Sequence, residues 1–334
     1  MVSKKFRARG IAATVAVLSL GLAACSSGGD GDGDGDTGAK GGDGDLIKVG
    51  FSQLGAESGW RTANTESVKA SLTKENGIDL TFSDAQQKQE NQIKAIRSFI
   101  VQKVDVIFLA PKVETGWEPV LKEAKDAKIP VILLDRGIEV SDDSLYATLI
   151  TSDFVEEGRM AGRWLADRMK GKGNIVELQG TIGSAPANDR KEGFAEILKD
   201  HPDMKIVRSQ TGDFNIEKGK QVMEAFLKAD KNIQAVYAHN DDMALGAIQA
   251  IEEAGLKPGV DIIVVGIDGV KGAFEAIVAG KMNCTVECNP LLGPAAFDAA
   301  EKLLAGEAVE KHIISEDNLF DEKSAAAALP DRKY

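Results

Sequence analysis

Short apolar runs alternate with amphipathic stretches along most of the chain. Residues 46–51 read as a strand, and the helical pattern after them stops at Asn76-Gly77, where glycine suits the left-handed residue that closes a helix. Ile78, Leu80 and Phe82 alternate as a half-buried strand does, whereas Ile93, Ile96 and Ile100 are spaced to share one helix face. Residues 104–110 and 129–134 are apolar throughout, with a helix over 117–128 between them. Runs of that kind, separated by helices, predict parallel strands covered on both faces.

After a strand at 146–150 the rhythm restarts. Strands are expected at 174–179, 204–209, 233–238 and 262–267, and helices at 153–169, 190–199, 216–229, 241–254 and 270–279. The tail adds a strand at 282–288, a helix at 295–305 and a short strand at 311–315. The fold class expected is α/β, with two doubly wound parallel-sheet lobes of similar size joined by hinge strands and a cleft between them. A chain of 334 residues is long enough to supply both cores.

The first 45 residues break the pattern. Lys4, Lys5, Arg7 and Arg9 precede an apolar run over 11–24 that is short for a membrane span, as in a secretory signal. The run ends in Leu22-Ala23-Ala24-Cys25, which resembles the lipobox of bacterial lipoproteins and implies that Cys25 is lipidated. Residues 26–45 are almost wholly Gly, Asp and Ser, a composition that cannot bury enough apolar surface to offset its ordering entropy; a tether is expected over 25–45. Asp30, Asp32, Asp34 and Gly35 imitate the start of a calcium loop, but its twelfth position is Gly41 where a bidentate Glu is needed. No metal site is expected there.

A net charge of −12, more negative once the basic leader is removed, excludes a nucleic-acid footprint. Cys284 and Cys288, four apart on a strand, are too distant for a disulfide and read as free buried thiols. Gly50, Gly55 and Gly59 are spaced too widely for a dinucleotide fingerprint, and no cofactor is expected.

Polar chemistry concentrates where the predicted strands end. Trp60 and Arg61 follow the first strand and its Gly/Ser turn; Asp135 and Arg136 follow 129–134; Asp189 and Arg190 follow the Gly-rich turn after 174–179; Asn240, Asp241 and Asp242 follow 233–238; Asp268 follows 262–267; Glu287 ends the next strand. Open α/β sheets bind ligands at that edge. Sugar hydroxyls donate and accept at once, so a sugar site wants carboxylates, amides and guanidiniums together, with an indole against the C–H face. Asp241 reads as a helix cap. A glycosidase would need a second carboxyl marked as the acid, and Ser58 and Ser184 lack a nucleophile-elbow context, so no enzyme is expected.

From residue 47 onward the chain resembles the periplasmic sugar-binding proteins of the ribose type, the type I periplasmic binding proteins, and most closely the galactofuranose-binding members of bacterial ABC importers. The stretches that carry the resemblance are VGFSQLGAESGWR (49–61), DAQQKQENQIKAIRSFI (84–100), APKVETGWEPVLKEAKDAKIPVILLDR (110–136), VELQGTIGSAPANDRKEGFAE (176–196), QTGDFNIEKGKQVMEAF (210–226), YAHNDDMALGAIQAI (237–251) and GIDGV (266–270). The resemblance implies that Glu57, Trp60, Arg61, Asp135 and Arg136 hold the sugar from one lobe. It assigns Arg190, Asn240 and Asp268 to the other lobe, Phe214 to the cleft edge or the core, and Glu287 to a hinge strand facing the ligand.

It further implies a signal peptide over 1–24, one lobe over 46–150 plus 289–313, the other over 151–288 plus 314–334, and hinges near 150–152, 286–289 and 312–314. The partners implied are a monosaccharide, an ABC permease and, through it, an ATPase. The expected protein is a monomer held to the outer face of the cytoplasmic membrane by a lipid anchor alone. A sugar-sensing receptor of the same fold and, further off, an extracellular glycosidase are the rival readings.

Overall fold

The computed structural model describes residues 46–334; the expected signal segment, lipidation site and tether lie outside them. The first lobe runs β1 (Ile47–Gln53), α1 (Gly59–Ser71), β2 (Ile78–Asp84), α2 (Gln89–Gln102), β3 (Val106–Leu109), α3 (Glu118–Asp126), β4 (Val131–Leu134) and β5 (Thr148–Thr151). The second runs α4 (Phe154–Met169), β6 (Lys172–Gln179), α5 (Ala185–Leu198), β7 (Asp203–Thr211), α6 (Ile216–Ala229), β8 (Ala235–Ala238), α7 (Asp241–Glu253), β9 (Ile263–Asp268), α8 (Lys271–Val278) and β10 (Cys284–Glu287). The tail is α9 (Gly293–Leu304), β11 (His312–Ile314), β12 (Leu319–Asp321) and α10 (Ala325–Ala328).

Two six-stranded sheets result, ordered β11-β5-β4-β3-β1-β2 and β12-β10-β9-β8-β6-β7. Read from β2 or β7, each follows the doubly wound order 2-1-3-4-5, with its switch point between β1 and β3 or between β6 and β8. All pairs are parallel except the edge strand β12, antiparallel to β10. The expected α/β fold of two such lobes is what the chain adopts.

Strand periodicity explains the apolar runs. In β3 and β4, Phe108, Ile132 and Leu134 face the side covered by α1 and α9, while Ile107, Leu109, Val131 and Leu133 face α2 and α3. The second lobe has one large core around Val176, Leu178, Tyr237, Val265 and Ile267. Trp60, contributed by α1 of the first lobe, packs into that second core.

Three segments cross between the lobes and lie side by side. Ser315 N donates to Thr151 O at 2.8 Å, Ser152 Oγ to Asp317 Oδ1 at 3.2 Å, and Glu287 N to Asn318 O at 2.7 Å. The third crossing, expected at 312–314, lies just beyond them, because His312–Ile314 pair with β5 as the edge of the first sheet. The helix expected to run to Asn76 ends at Ser71; a single 3₁₀ turn, Lys74–Asn76, follows, and Gly77 closes it with φ +78°. Cys284 and Cys288 are both free and buried.

Candidate functional site

The C-terminal strand ends of the two sheets meet around a cavity of about 250 Å³ of empty space. Nine of the ten anticipated binding residues line it: Glu57, Trp60, Arg61, Asp135 and Arg136 from the first lobe, and Arg190, Phe214, Asn240 and Asp268 from the second. Most are placed by a strand end or the turn after it, Trp60 and Arg61 by the first turn of α1, and Arg190 by the second turn of α5. Ser58 caps α1 by accepting from Arg61 N at 3.1 Å, which turns Trp60 and Arg61 inward in the first helical turn. Asp135 follows β4 with φ +65°, and Asp268 ends β9 with φ +131°, conformations that a non-glycine residue holds only where its surroundings over-determine them.

On the first lobe the charges form a closed ring. Arg61 Nη2 binds Asp135 Oδ2 and lies 3.4 Å from Glu57 Oε1; Arg136 Nη2 binds that same Glu57 oxygen, and its Nε is 3.6 Å from Asp135 Oδ2. All four side chains are at most 5% exposed. Burial pulls the Arg61 guanidinium down, but Asp135 and Glu57 outweigh it and hold it above its ordinary value; for Arg136 burial wins. Within this ring Glu57 Oε2 and Arg136 Nε are buried without a hydrogen-bond partner.

On the second lobe Arg190 is the hub. Its Nε donates to Glu157 Oε2 at 2.6 Å and its Nη1 to His239 O at 2.6 Å, while Nη2 lies 3.5 Å from Asp268 Oδ1. Burial pushes Glu157 up to about 8 against the pull of Arg190, and raises Asp268 well above the carboxylate range. Aromatic rings close the remaining walls. Arg61 lies over Trp60 at 4.7 Å, and Arg136 and Arg190 lie 5.2 and 6.0 Å from the ring of Phe214. Phe214 reaches this position only because Gly180 leaves it room: a Cβ there would stand 2.0 Å from its Cζ.

Glu287 is not brought to the cavity. Its carboxylate turns to the C-terminal tail, accepting from Arg332 Nη1 at 2.6 Å and from Asn318 Nδ2 at 3.1 Å, and the next residue, Cys288, lines the wall instead. Asp241 is not the helix cap. Asn240 caps α7, its Oδ1 accepting from Met243 N at 3.0 Å. Asp241 instead accepts from Val270 N at 3.0 Å and from Thr285 Oγ1 at 2.8 Å, tying α7 to the start of α8 and to β10. Sequence reasoning missed Ser58 and Pro186 as lining residues and Glu157 as the partner of Arg190.

The lobes also touch at the rim. Glu114 N donates to Gly183 O at 2.8 Å, Asn188 Nδ2 binds Glu114 Oε2, and Gly59 N lies 3.3 Å from both oxygens of Asp242. Trp60 Nε1 donates across to Cys288 O at 2.5 Å, and within the first lobe Asn64 Nδ2 donates to Pro290 O at 3.0 Å. The cavity is therefore bounded on both sides by lobes that these contacts hold together. Its guanidiniums donate and its carboxylates accept, as a polyhydroxylated ligand requires.

Residues 49–308 match the family described as periplasmic binding protein domain. The galactofuranose-binding protein YtfQ of Escherichia coli K12 is 55% identical over 292 residues, 86% of this chain and 92% of that one. The periplasmic binding protein component of the arabinose ABC transporter from Shewanella sp. ANA-3, solved bound to alpha and beta-L-arabinofuranose, is 57% identical with a TM-score of 0.83, covering 86% of this chain and 95% of its own. A Mycobacterium smegmatis structure in complex with beta-D-fucofuranose is 54% identical with a TM-score of 0.84, covering 86% and 96%.

Proposed function

Because the chain belongs to the periplasmic binding protein family, we propose that it is the extracytoplasmic solute-binding protein of a sugar ABC importer and that its ligand is an aldose in the furanose form, galactofuranose first among them. It is a binding protein and not an enzyme. The observation that carries this reading is the cavity between the lobes whose buried ring of two guanidiniums and two carboxylates retains an unpartnered acceptor, Glu57 Oε2, and an unpartnered donor, Arg136 Nε. A hydroxyl satisfies both at once.

The nine anticipated residues among those that line the cavity hold the sugar; Trp60 and Phe214 cover its C–H faces and the charged groups bind its oxygens. The furanose form is supported by the relatives: galactofuranose, L-arabinofuranose and D-fucofuranose present the same ring configuration and differ in the chain outside the ring. Sugar contacts to both lobes are complete only in the closed arrangement, so binding shifts the population toward it, and a permease powered by an ATPase accepts the sugar from that closed surface. Cys25, as a lipidated N-terminus, and the Gly/Asp segment after it hold a monomer to the membrane's outer face.

Calorimetry with galactose, arabinose and fucose against their methyl pyranosides tests the ligand. The free sugars bind, with apparent affinity lowered by the small furanose fraction of each solution, and the ring-locked pyranosides do not. Equal binding of a methyl pyranoside, or no response to any sugar, overturns the reading. Release of a Cys25→Ser variant into the medium tests the anchor; retention at the membrane counts against it.

A further inference from the structure

The space between the lobes does not end at the sugar cavity. Glu57 also lines a second and larger space of about 830 Å³, partly open to solvent, walled by Gln87 and Lys112 on the first lobe and by Thr181, Asp213 and Asn215 on the second. Three of these residues carry a buried polar atom with no hydrogen-bond partner: Glu57 Oε2, Gln87 Nε2 and Thr181 Oγ1. Thr181 is 6% exposed and Glu57 8%. Buried polar groups in folded proteins are almost always satisfied; with Glu57 Oε2 taken by the inner sugar, the amide donor of Gln87 and the hydroxyl of Thr181 remain open around this space and point to a ligand that satisfies them.

The chemistry of the walls narrows its class. Lys218 Nζ is held by Asp213 Oδ2 at 2.6 Å and Lys112 Nζ by Gln87 Oε1 at 3.1 Å, while the charge of Glu57 is already shared with Arg61 and Arg136. Amide, hydroxyl and carboxylate groups beside ammonium groups that already have partners supply the mixture of donors and acceptors that a polyhydroxylated group needs. Ile182, 71% exposed on the same rim, offers an apolar surface for the C–H face of a ring. Both walls are built on pairs of left-handed residues, Gln86 and Gln87 at φ +53° and +63° and Asp213 and Phe214 at φ +52° and +59°, the kind of strain that collects at ligand sites.

We infer that this space is a second sugar subsite and that the protein takes furanosyl disaccharides, one ring in the cavity and the other between Gln87 and Thr181. The inference rests on the furanose reading of the inner cavity. Glu57, which lines both spaces, stands at the junction of the two rings.

Calorimetry on the whole mature protein with galactose and with galactofuranosyl-galactofuranose separates the two. Wild type binds the disaccharide at least as tightly as galactose. Thr181→Val and Gln87→Leu each weaken the disaccharide about five- to tenfold, the loss of one hydrogen bond, and leave galactose within twofold. A wild-type disaccharide affinity more than a hundredfold below that of galactose overturns the subsite while leaving the furanose reading standing. Equal effects of either variant on both ligands overturn it too. Failure of galactose and the disaccharide alike removes both readings together.

Discussion

Asp135 and Asp268 hold the same station in different sheets: each stands at the C-terminal end of the fourth strand of its doubly wound half, each has a positive φ, and each carboxylate faces an arginine, Arg61 or Arg190, brought from elsewhere in its own lobe. The cavity is thus two copies of one device, turned face to face. Asp135→Asn keeps the shape and removes the charge from the acceptor, whereas burial already favours the neutral acid at Asp268, so Asp268→Asn changes the charge less. Asp135→Asn is expected to cost about 1.5–3 kcal/mol of binding, the worth of a hydrogen bond to a charged group, which calorimetry reads as about a tenfold to hundredfold weaker Kd, and Asp268→Asn less.

Trp60→Phe retains a ring in the second core but loses the Nε1 bond to Cys288 O that joins the lobes. About 1 kcal/mol of closed-state stabilisation goes with it. Stopped-flow measurement should find sugar release about fivefold faster, with the association rate little changed. An unchanged release rate would show that the bond does not support closure.

Gly180→Ala touches no ligand, yet its Cβ requires the Phe214 ring to move. A strained repacking of about 1–3 kcal/mol is expected, together with weaker sugar binding, since Phe214 lines the cavity. The double variant with Phe214→Leu should recover melting temperature without recovering affinity.

Glu287→Gln separates the tail from the site. Because Glu287 faces Arg332 and not the cavity, the variant should lower the melting temperature by a few degrees while sugar affinity stays within twofold. A large loss of affinity with unchanged stability would return Glu287 to the binding residues.

Asp241 gives the stability a pH dependence. Burial, opposed by Thr285 and Val270, pushes its carboxyl from 3.8 up to about 8 in the folded chain. Between those values the unfolded chain has released a proton that the folded chain keeps, so this group's contribution makes stability fall as pH rises through the window. Asp241→Asn should flatten that part of the melting temperature's decline between pH 5 and 8; an unaltered slope argues against a protonated Asp241.

The two-lobed sheet was legible in the sequence because β3, β4, β8 and β9 are apolar on both faces, as short parallel strands covered by helices on either side must be. Edge elements carried no such signal: β12 is three half-buried residues, and only pairing with β10 makes it a strand. The cavity-lining residues could be read where they end or directly follow a strand, as at Asp135, Arg136 and Asp268. Glu157 could not, since nothing in the α4 pattern tells a buried carboxylate from a solvated one until Arg190 arrives 33 residues later. Glu287 shows the opposite error. It and Cys288 are adjacent, local geometry sends one to the cavity and the other away, and the choice was made by Arg332, 45 residues downstream.

The placement of the tryptophans makes the protein its own optical reporter. Of the three in the chain, Trp117 is fully buried in the first lobe with its Nε1 on Val113 O, and Trp164 is half-buried in the second near Asp321. Trp60 alone sits in the cavity wall, under the Arg61 guanidinium and bonded across the lobes. With Trp117 and Trp164 replaced by phenylalanine, its emission becomes a label-free gauge of occupancy, bright or quenched according to whether the two halves of the molecule are in contact.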